Sequence, residues 1–428
     1  MDEHCTLQVY LDGHWHDAAA VTLQGDVTRG TATPTWLSYT VDYALAQFGR
    51  RDAAALSINH PIGIALIKHD SWPPFLVDLL PQGYGRQELL KQLQRDVHAG
   101  PAADWALLGA GAGNPIGNLR IKEAHAWSGE QSASPPRGFT RDEVAQRAGD
   151  FNEYLAQHGL FLAGSSGVQG EWPKILLTQA RDGLYYLDHT LPDQLAQRHY
   201  IVKFGRGSDP ALATILRCEA PYMALARQLG LRVHGDLQLH GRSLWIPRFD
   251  RQISSEQVLR HAQESLASVC GLHQFGEVPS HNVFLQRLRA SVSDCASETV
   301  EYLKRDVANI VLGNTDNHAR NTAIQRDAQG RVRLTPLFDF APMFLHPDGI
   351  ARRMRWAEDD HGAPVWASVI AQAAQASGVD AALLRTALQA MVAPLQTLMA
   401  HAHALGIADV LALKGRTIAA NLEQLQAL

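Results

Sequence analysis

Gly313-Asn314-Thr315-Asp316-Asn317-His318-Ala319-Arg320-Asn321 crowds polar side chains directly behind the apolar stretch Val307 to Leu312. Asp316 and Asn321 stand five residues apart. That spacing lets a carboxylate take a proton from a hydroxyl while an amide oxygen reaches a magnesium ion, a division of labour used in phosphoryl transfer. Eighteen residues beyond Asn321, the run Leu334-Thr335-Pro336-Leu337-Phe338 delivers Asp339, a second hard oxygen donor of the kind magnesium prefers. Taken singly, each segment reads equally well as a surface loop with Asx turns. In this order, they point to catalysis.

Upstream residues supply the rest of a nucleotide site. Gly164-Ser165-Ser166-Gly167-Val168-Gln169-Gly170 is a glycine-rich turn ahead of an apolar strand beginning at Lys174. Backbone N–H groups in such a turn can cradle phosphates. It is not a Walker A loop, because no Gly-Lys-Ser/Thr follows, and a plain hairpin turn is the commoner reason for such a string. Tyr200-Ile201-Val202-Lys203-Phe204 places one Lys in an apolar strand, where it either snorkels at an edge or reaches a phosphate. The order glycine loop, Lys, Asp…Asn, Asp is that of protein kinases. Twenty His residues invite a metal reading, but the chain has no His-Glu-x-x-His and no Cys/His framework. Arg352-Arg353-Met354-Arg355-Trp356 is a small basic cluster, either a solvated face or a receiver for a protein substrate.

These residues need elements to hold them. Leu7 to Leu11 alternates apolar and polar residues and meets Asp12-Gly13, which predicts a strand entering a hairpin turn. Residues 54–58 read as a further strand, and residues 86–97 and 104–108 as helices. Residues 126–138 hold three Ser, two Pro and two Gly and read as a linker. Thr140-x-x-Glu143 is a capping box opening a helix to His158. Strands are expected at Lys174–Thr178, Leu184–Asp188, Tyr200–Phe204 and Gln238–Pro247, with a helix from Ala211 to Leu229 ending at Gly230. From Gln257 onward, the spacing predicts almost all helix, broken by a strand-and-loop section at 311–350. Sheet first and helix afterwards imply an α+β organisation.

The 428 residues allow two or three domains. With 46% apolar and 19% charged residues the chain is globular rather than disordered. A formal charge of −5 excludes a uniformly basic nucleic-acid binder, though not a local basic patch. No run of eighteen apolar residues predicts a membrane span, and the Met-Asp-Glu-His-Cys start is unlike a signal peptide. Four widely spaced Cys form no Cys-x-x-Cys pair, so a reducing cytoplasm is expected.

Several strings together resemble the HipA family of bacterial toxin kinases. They are Gly167-Val168-Gln169, the strand bearing Lys203, Arg248-Phe249-Asp250-Arg251, Gly313 to Asn321, and Pro336-Leu337-Phe338-Asp339. Phe75 to Gly83 and Asp104 to Gly117 resemble landmarks of the family's leading domain. The resemblance implies a two-lobed, protein-kinase-like α+β fold: a β-rich N-terminal subdomain over 1–125, a mixed α/β N-lobe over 139–252, and an all-helical C-lobe over 253–428, with ATP between the lobes. By the same resemblance Asp316 is the catalytic base and Asn321 and Asp339 hold Mg2+. Gly167, Val168, Gln169 and Lys203 grip the nucleotide, Phe249 and Asp250 line its adenine and ribose, and Gln263 and His318 lie nearby. Ser165 and Ser166 are candidates for autophosphorylation. The implied activity is ATP-dependent serine/threonine phosphorylation of a protein of translation, an aminoacyl-tRNA synthetase. The implied partner is a helix-turn-helix, HipB-like antitoxin, with DNA reached only through it and no membrane involved. Two other classes remain open: a kinase-fold scaffold with little turnover, and a magnesium-dependent nuclease.

Overall fold

The computed structural model describes residues 3–428 except 115, 132–134, 158–171, 206 and 255–256. The chain divides into two compact units: Met1–Gly205 with His240–Phe275 and Gln325–Arg331, and Arg206–Leu239 with Gly276–Ile324 and Val332–Leu428.

In the first unit, His4–Leu11 buries Cys5, Leu7, Val9 and Leu11 on one face, the period-two pattern of a strand with one face in a core. It turns at Asp12 (φ 51°) and Gly13 (φ 84°) and pairs antiparallel with His14–Leu23. Positive φ at both positions matches the right-handed twist of the flanking strands, as in a type I′ hairpin. Ile67–His69, Thr35–Tyr39, His14–Leu23, His4–Leu11 and Leu119–Ile121 form one sheet in that order. Its inner face packs on Trp72, Phe75, Leu76, Trp105 and Leu108. A second apolar core gathers Phe139, Phe151, Ile175, Leu177, Tyr200, Val202 and Trp245. Here Tyr185–Leu187, Lys174–Ala180, Ala196–Phe204 and Ser243–Pro247 are neighbouring antiparallel strands in that order.

The second unit is built around the helix Cys295–Leu312, which is buried on most of its circumference. Such a helix is normally apolar all round. This one carries Glu298, Glu301, Arg305 and Asp306 into the interior, so each needs a partner. Arg232 donates to both Glu298 oxygens at 2.9 Å, Arg305 to Glu301 at 2.8 Å, and Trp356 Nε1 to Asp306 at 2.8 Å. The helix stops at Gly313 in the left-handed region (φ 72°). A Cβ there would sit 2.6 Å from the Phe344 ring, so close packing and conformation both call for glycine.

Several sequence expectations change. Residues 54–58 form turns with only a Ser57–His60 bridge. The expected linker begins later, because the helix Lys122–Gln131 runs into it. Thr140 does cap a helix with a full capping box. That helix ends at Ala145, and after Arg147 (φ 51°) a second runs Gly149–Gln157. The segment 253–428 is not all helical: Ala323–Arg326 and Val332–Leu334 are strands within the strand-and-loop section expected at 311–350, and Gln257–Arg260 and Ala262–Ser265 are strands where the spacing predicts helix. Runs of three or four residues are too short for periodicity to separate strand from helix. Gln257–Arg260 is a strand because it pairs antiparallel with Arg251–Ser254. Among the described residues no helix is long and apolar enough to cross a membrane.

Candidate functional site

The loop that opens at Asn314 is tied to the end of the helix before it. Asn314 N donates to Asn309 O at 2.8 Å, and Asn314 Nδ2 donates to Asn309 Oδ1 at 2.9 Å. Further on, His318 N donates to Asp316 O (3.0 Å) and Asn321 N to His318 O (2.9 Å). Asn321 Nδ2 donates to Asp316 O at 2.8 Å. That bond has a chemical consequence. It consumes the amide's nitrogen end, so the oxygen end of Asn321 is the one presented away from the Asp316 backbone.

His318 Nδ1 accepts from Arg320 N at 3.2 Å, which leaves the proton of a neutral ring on Nε2. That nitrogen lies 3.9 Å from Asp316 Oδ1, a Coulombic contact rather than a hydrogen bond. Burial holds His318 below the ordinary imidazole range. The Asp339 carboxylate pulls the other way, and Arg320 and Arg353 add to the depression. Asp339 therefore shares the electrostatic neighbourhood of the loop. It also occupies the left-handed region (φ 53°) without being glycine. Leu337 on one side is pinned by its N–H to Arg232 O at 2.8 Å, and Phe340 on the other is fully buried. Asp339 thus holds a strained conformation between two fixed residues, Leu337 and Phe340.

The donor set suits magnesium. Asn321 and Asp339 offer hard oxygens, and among the described residues no group of three or more His, Cys, Asp and Glu is arranged to hold a metal. Mg2+ characteristically takes one or two protein oxygens and completes its shell with water and phosphate.

In the first unit, Lys203 is 3% exposed on the strand Ala196–Phe204. Lys174 stands directly opposite it across the antiparallel pair and is 6% exposed. Opposed residues of such a pair share a face, so both lysine side chains leave the same side of the sheet. Lys174 is absent from the candidate site residues of the sequence reading, where it only opens a strand. Its signal was its place just after the glycine loop. Gly167, Val168, Gln169, Ser165 and Ser166 lie outside the described residues.

Phe249 is half-buried, and Asp250 is 2% exposed. Asp250 accepts from Arg248 Nε (2.9 Å), Arg248 Nη2 (2.7 Å), Arg251 Nη1 (2.6 Å) and Gly117 N (2.7 Å). Both carboxylate oxygens are thus engaged inside the protein rather than turned to a ribose. Arg251 also donates to Gly117 O (2.8 Å), and Gly117 packs against Gln263. The structure so brings Asp250 and Gln263 together around Gly117. Arg248 reaches on to Asp188 (3.1 Å), which accepts from Thr178 Oγ1 (2.7 Å) and faces His199 Nδ1 (2.9 Å). This chain of buried charges escaped sequence reading because its members are scattered from residue 117 to residue 251.

The network carries a stability prediction. Removing one member of a buried ion pair strands the other, at a cost of about 3–5 kcal/mol. Asp250→Ala should lower unfolding free energy by that order in chemical denaturation. Burial pushes both Asp188 and Asp250 up, yet the Arg248 guanidinium beside each holds both well below the usual carboxylate range. A lowered folded-state value means stability is fully present above the unfolded value of about 3.9 and is lost as pH falls through the folded values. The acid-induced loss should therefore be shallower in Asp250→Ala than in the unmodified protein.

The profile of the family described as HipA-like C-terminal domain matches residues 166–399, more than half of the chain. A chain of a solved complex from Shewanella oneidensis MR-1, the toxin–antitoxin system HipA and HipB with its operator DNA, superposes with a TM-score of 0.63. The two are 21% identical over 99% of this chain and 96% of that one, so they share a fold. The Helicobacter pylori proinflammatory kinase CtkA aligns more loosely: TM-score 0.34, 13% identity, 54% of this chain and 90% of that one.

Proposed function

The chain belongs to the HipA-like family, and from that premise we propose that it is the toxin of a toxin–antitoxin pair, acting as an ATP- and Mg2+-dependent serine/threonine protein kinase. The observation that carries the kinase reading is the Asn321 amide, turned by its bond to Asp316 O so that its oxygen is presented outward. That oxygen and Asp339 would hold Mg2+, which offsets charge on the nucleotide phosphates. Lys203, with Lys174 opposite it on the same face of its sheet, is the cation assigned to a nucleotide phosphate. Phe249 covers the flat face of the purine. Asp316 takes the proton of the acceptor Ser or Thr as its oxygen bonds to the γ-phosphorus and the bond to the ADP oxygen breaks. His318 stays neutral at physiological pH by its lowered pKa and so adds no charge beside that base.

The acceptor is a protein of translation, an aminoacyl-tRNA synthetase, and the partner is a helix-turn-helix antitoxin that links the toxin to operator DNA. The Shewanella complex holds HipA together with HipB and its operator DNA. Calorimetry with Mg-ATP, run beside plasmid incubation in magnesium, tests the assignment. Saturable nucleotide binding and intact plasmid support it. Plasmid cutting favours a nuclease, and neither result leaves a scaffold.

The kinase also modifies its own glycine loop at Ser165 or Ser166. A phosphate adds about −1.5 to −2 charges, which would repel the nucleotide phosphates and silence the enzyme. Mass spectrometry should find phosphate at Ser165 or Ser166 in unmodified protein and none after Asp316→Asn. An unmodified loop in an enzyme that phosphorylates other proteins would defeat this regulation.

A further inference from the structure

A small cavity of about 10 Å³ lies behind the catalytic loop. It is lined by Tyr302, Asp306 and Asn309 of the central helix, by Asn314 and Asn321 of the loop, and by Phe338 just ahead of Asp339. Asp316 and Asp339 do not line it, so it is separate from the carboxylates assigned to chemistry. Two of its lining residues each carry a buried oxygen, Asp306 Oδ1 and Asn314 Oδ1, with no hydrogen-bond partner among the described residues. Asp306 is 1% exposed and Asn314 5%. A buried polar atom left unsatisfied costs about 1–3 kcal/mol, so a pair beside one cavity calls for a shared donor.

The other ends of both side chains are already spent. Asp306 Oδ2 accepts from Trp356 Nε1 at 2.8 Å, and Asn314 Nδ2 donates to Asn309 Oδ1 at 2.9 Å. Neither group can rotate to satisfy its free oxygen without breaking a bond. A cation is a poor occupant, because the Asp306 carboxylate already faces Arg352 Nη2 at 3.9 Å and His281 Nε2 at 3.7 Å. A water fits the volume and offers two protons for two acceptors.

We infer that Asp306 and Asn309 are positioning residues of the catalytic loop, Asn309 through its paired bonds to Asn314 and Asp306 through one buried water shared with Asn314. This rests on the kinase reading of the same loop. Asn314 stands two residues before Asp316, so its placement sets where the base stands. Asp316 must meet an acceptor hydroxyl within hydrogen-bond reach, and a misplacement of about 1 Å can cost about a hundredfold in rate.

The test pairs kinetics with crystallography. Asn314→Ala and Asn309→Ala should each lower kcat about tenfold or more with KM for Mg-ATP unchanged within about twofold, since positioning acts on the reacting atoms. Asp306→Asn should lower kcat less. The Asp306→Asn/Asn314→Ala double variant should be no slower than Asn314→Ala alone, because both act through one link. Melting-temperature losses with kcat intact, or losses that multiply, would overturn the positioning role. A crystal structure of the unmodified protein should show density within hydrogen-bond distance of both Asp306 Oδ1 and Asn314 Oδ1. A dry cavity overturns the shared water even if a variant fails to fold. An unmodified protein that transfers no phosphate would overturn the kinase reading and the positioning role with it, while the density still decides the water.

Discussion

Asp316→Asn should lower phosphate transfer to protein by about 10²–10⁴-fold, the range that general-base catalysis supplies. The substitution keeps the side chain's shape and removes its ability to accept a proton. The Asp316 backbone oxygen still receives the Asn321 amide, so the Asn321 oxygen keeps its orientation. Mg-ATP affinity should therefore stay within about threefold, the signature of an interaction made only in the transition state. Purified variant and wild type, compared by calorimetry and by transfer of labelled phosphate, separate the two quantities. Wild-type transfer by Asp316→Asn would remove Asp316 from the chemistry. An equal loss of binding would make it a nucleotide ligand instead.

Asp339→Ala should weaken Mg-ATP binding at least about tenfold, a loss of about 1.4 kcal/mol or more, and reduce turnover as well. The charge that meets the metal is gone, and Asn321 alone is a neutral ligand. Asp339→Gly makes a sharper test. Asp339 holds φ 53°, and a side chain in the left-handed region costs about 1–2 kcal/mol that glycine does not incur. The glycine variant should lose Mg-ATP affinity as the alanine variant does. It should be as stable as the unmodified protein, or more so. Loss of function with retained or raised stability identifies strain maintained for binding. Unchanged affinity in both variants would move Asp339 to a structural role at the Phe338–Pro342 turn.

What could be read from the sequence was whatever depends on local order. The loop from Gly313 to Asn321 was legible because five-residue spacing places a base and an amide ligand on one short segment. Its left-handed glycine and its internal hydrogen bonds then follow from that segment alone. The hairpin at Asp12-Gly13 and the Thr140 capping box were legible for the same reason. Features that depend on distant partners were not. Very short elements were not legible either: Gln257–Arg260 is a strand by pairing with Arg251–Ser254, and four residues carry too little periodicity to announce it. Residues 54–58 are apolar enough for a strand, yet they are held by side chains from far along the chain. Arg326 donates to the carbonyls of Asp52, Ala55 and Leu56, and Glu264 accepts from Ser57. Asp250 sits in a hinge string that suggested contact with a ligand. Arg248 and Arg251 of the same string and the distant Gly117 instead engage its carboxylate inside the fold. Lys174 gains its meaning from facing Lys203 across the sheet, a register that only the folded pairing reveals.

The kinase assignment is tested most directly by incubating purified protein with γ-labelled ATP and Mg2+, with and without a metal chelator, and following label onto protein. The account predicts magnesium-dependent label on protein Ser or Thr, at Ser165 or Ser166 of the chain itself or on an added synthetase, and its disappearance with Asp316→Asn. Label that never leaves ATP for protein in the presence of magnesium and acceptor, from a chain shown to be folded, would contradict it.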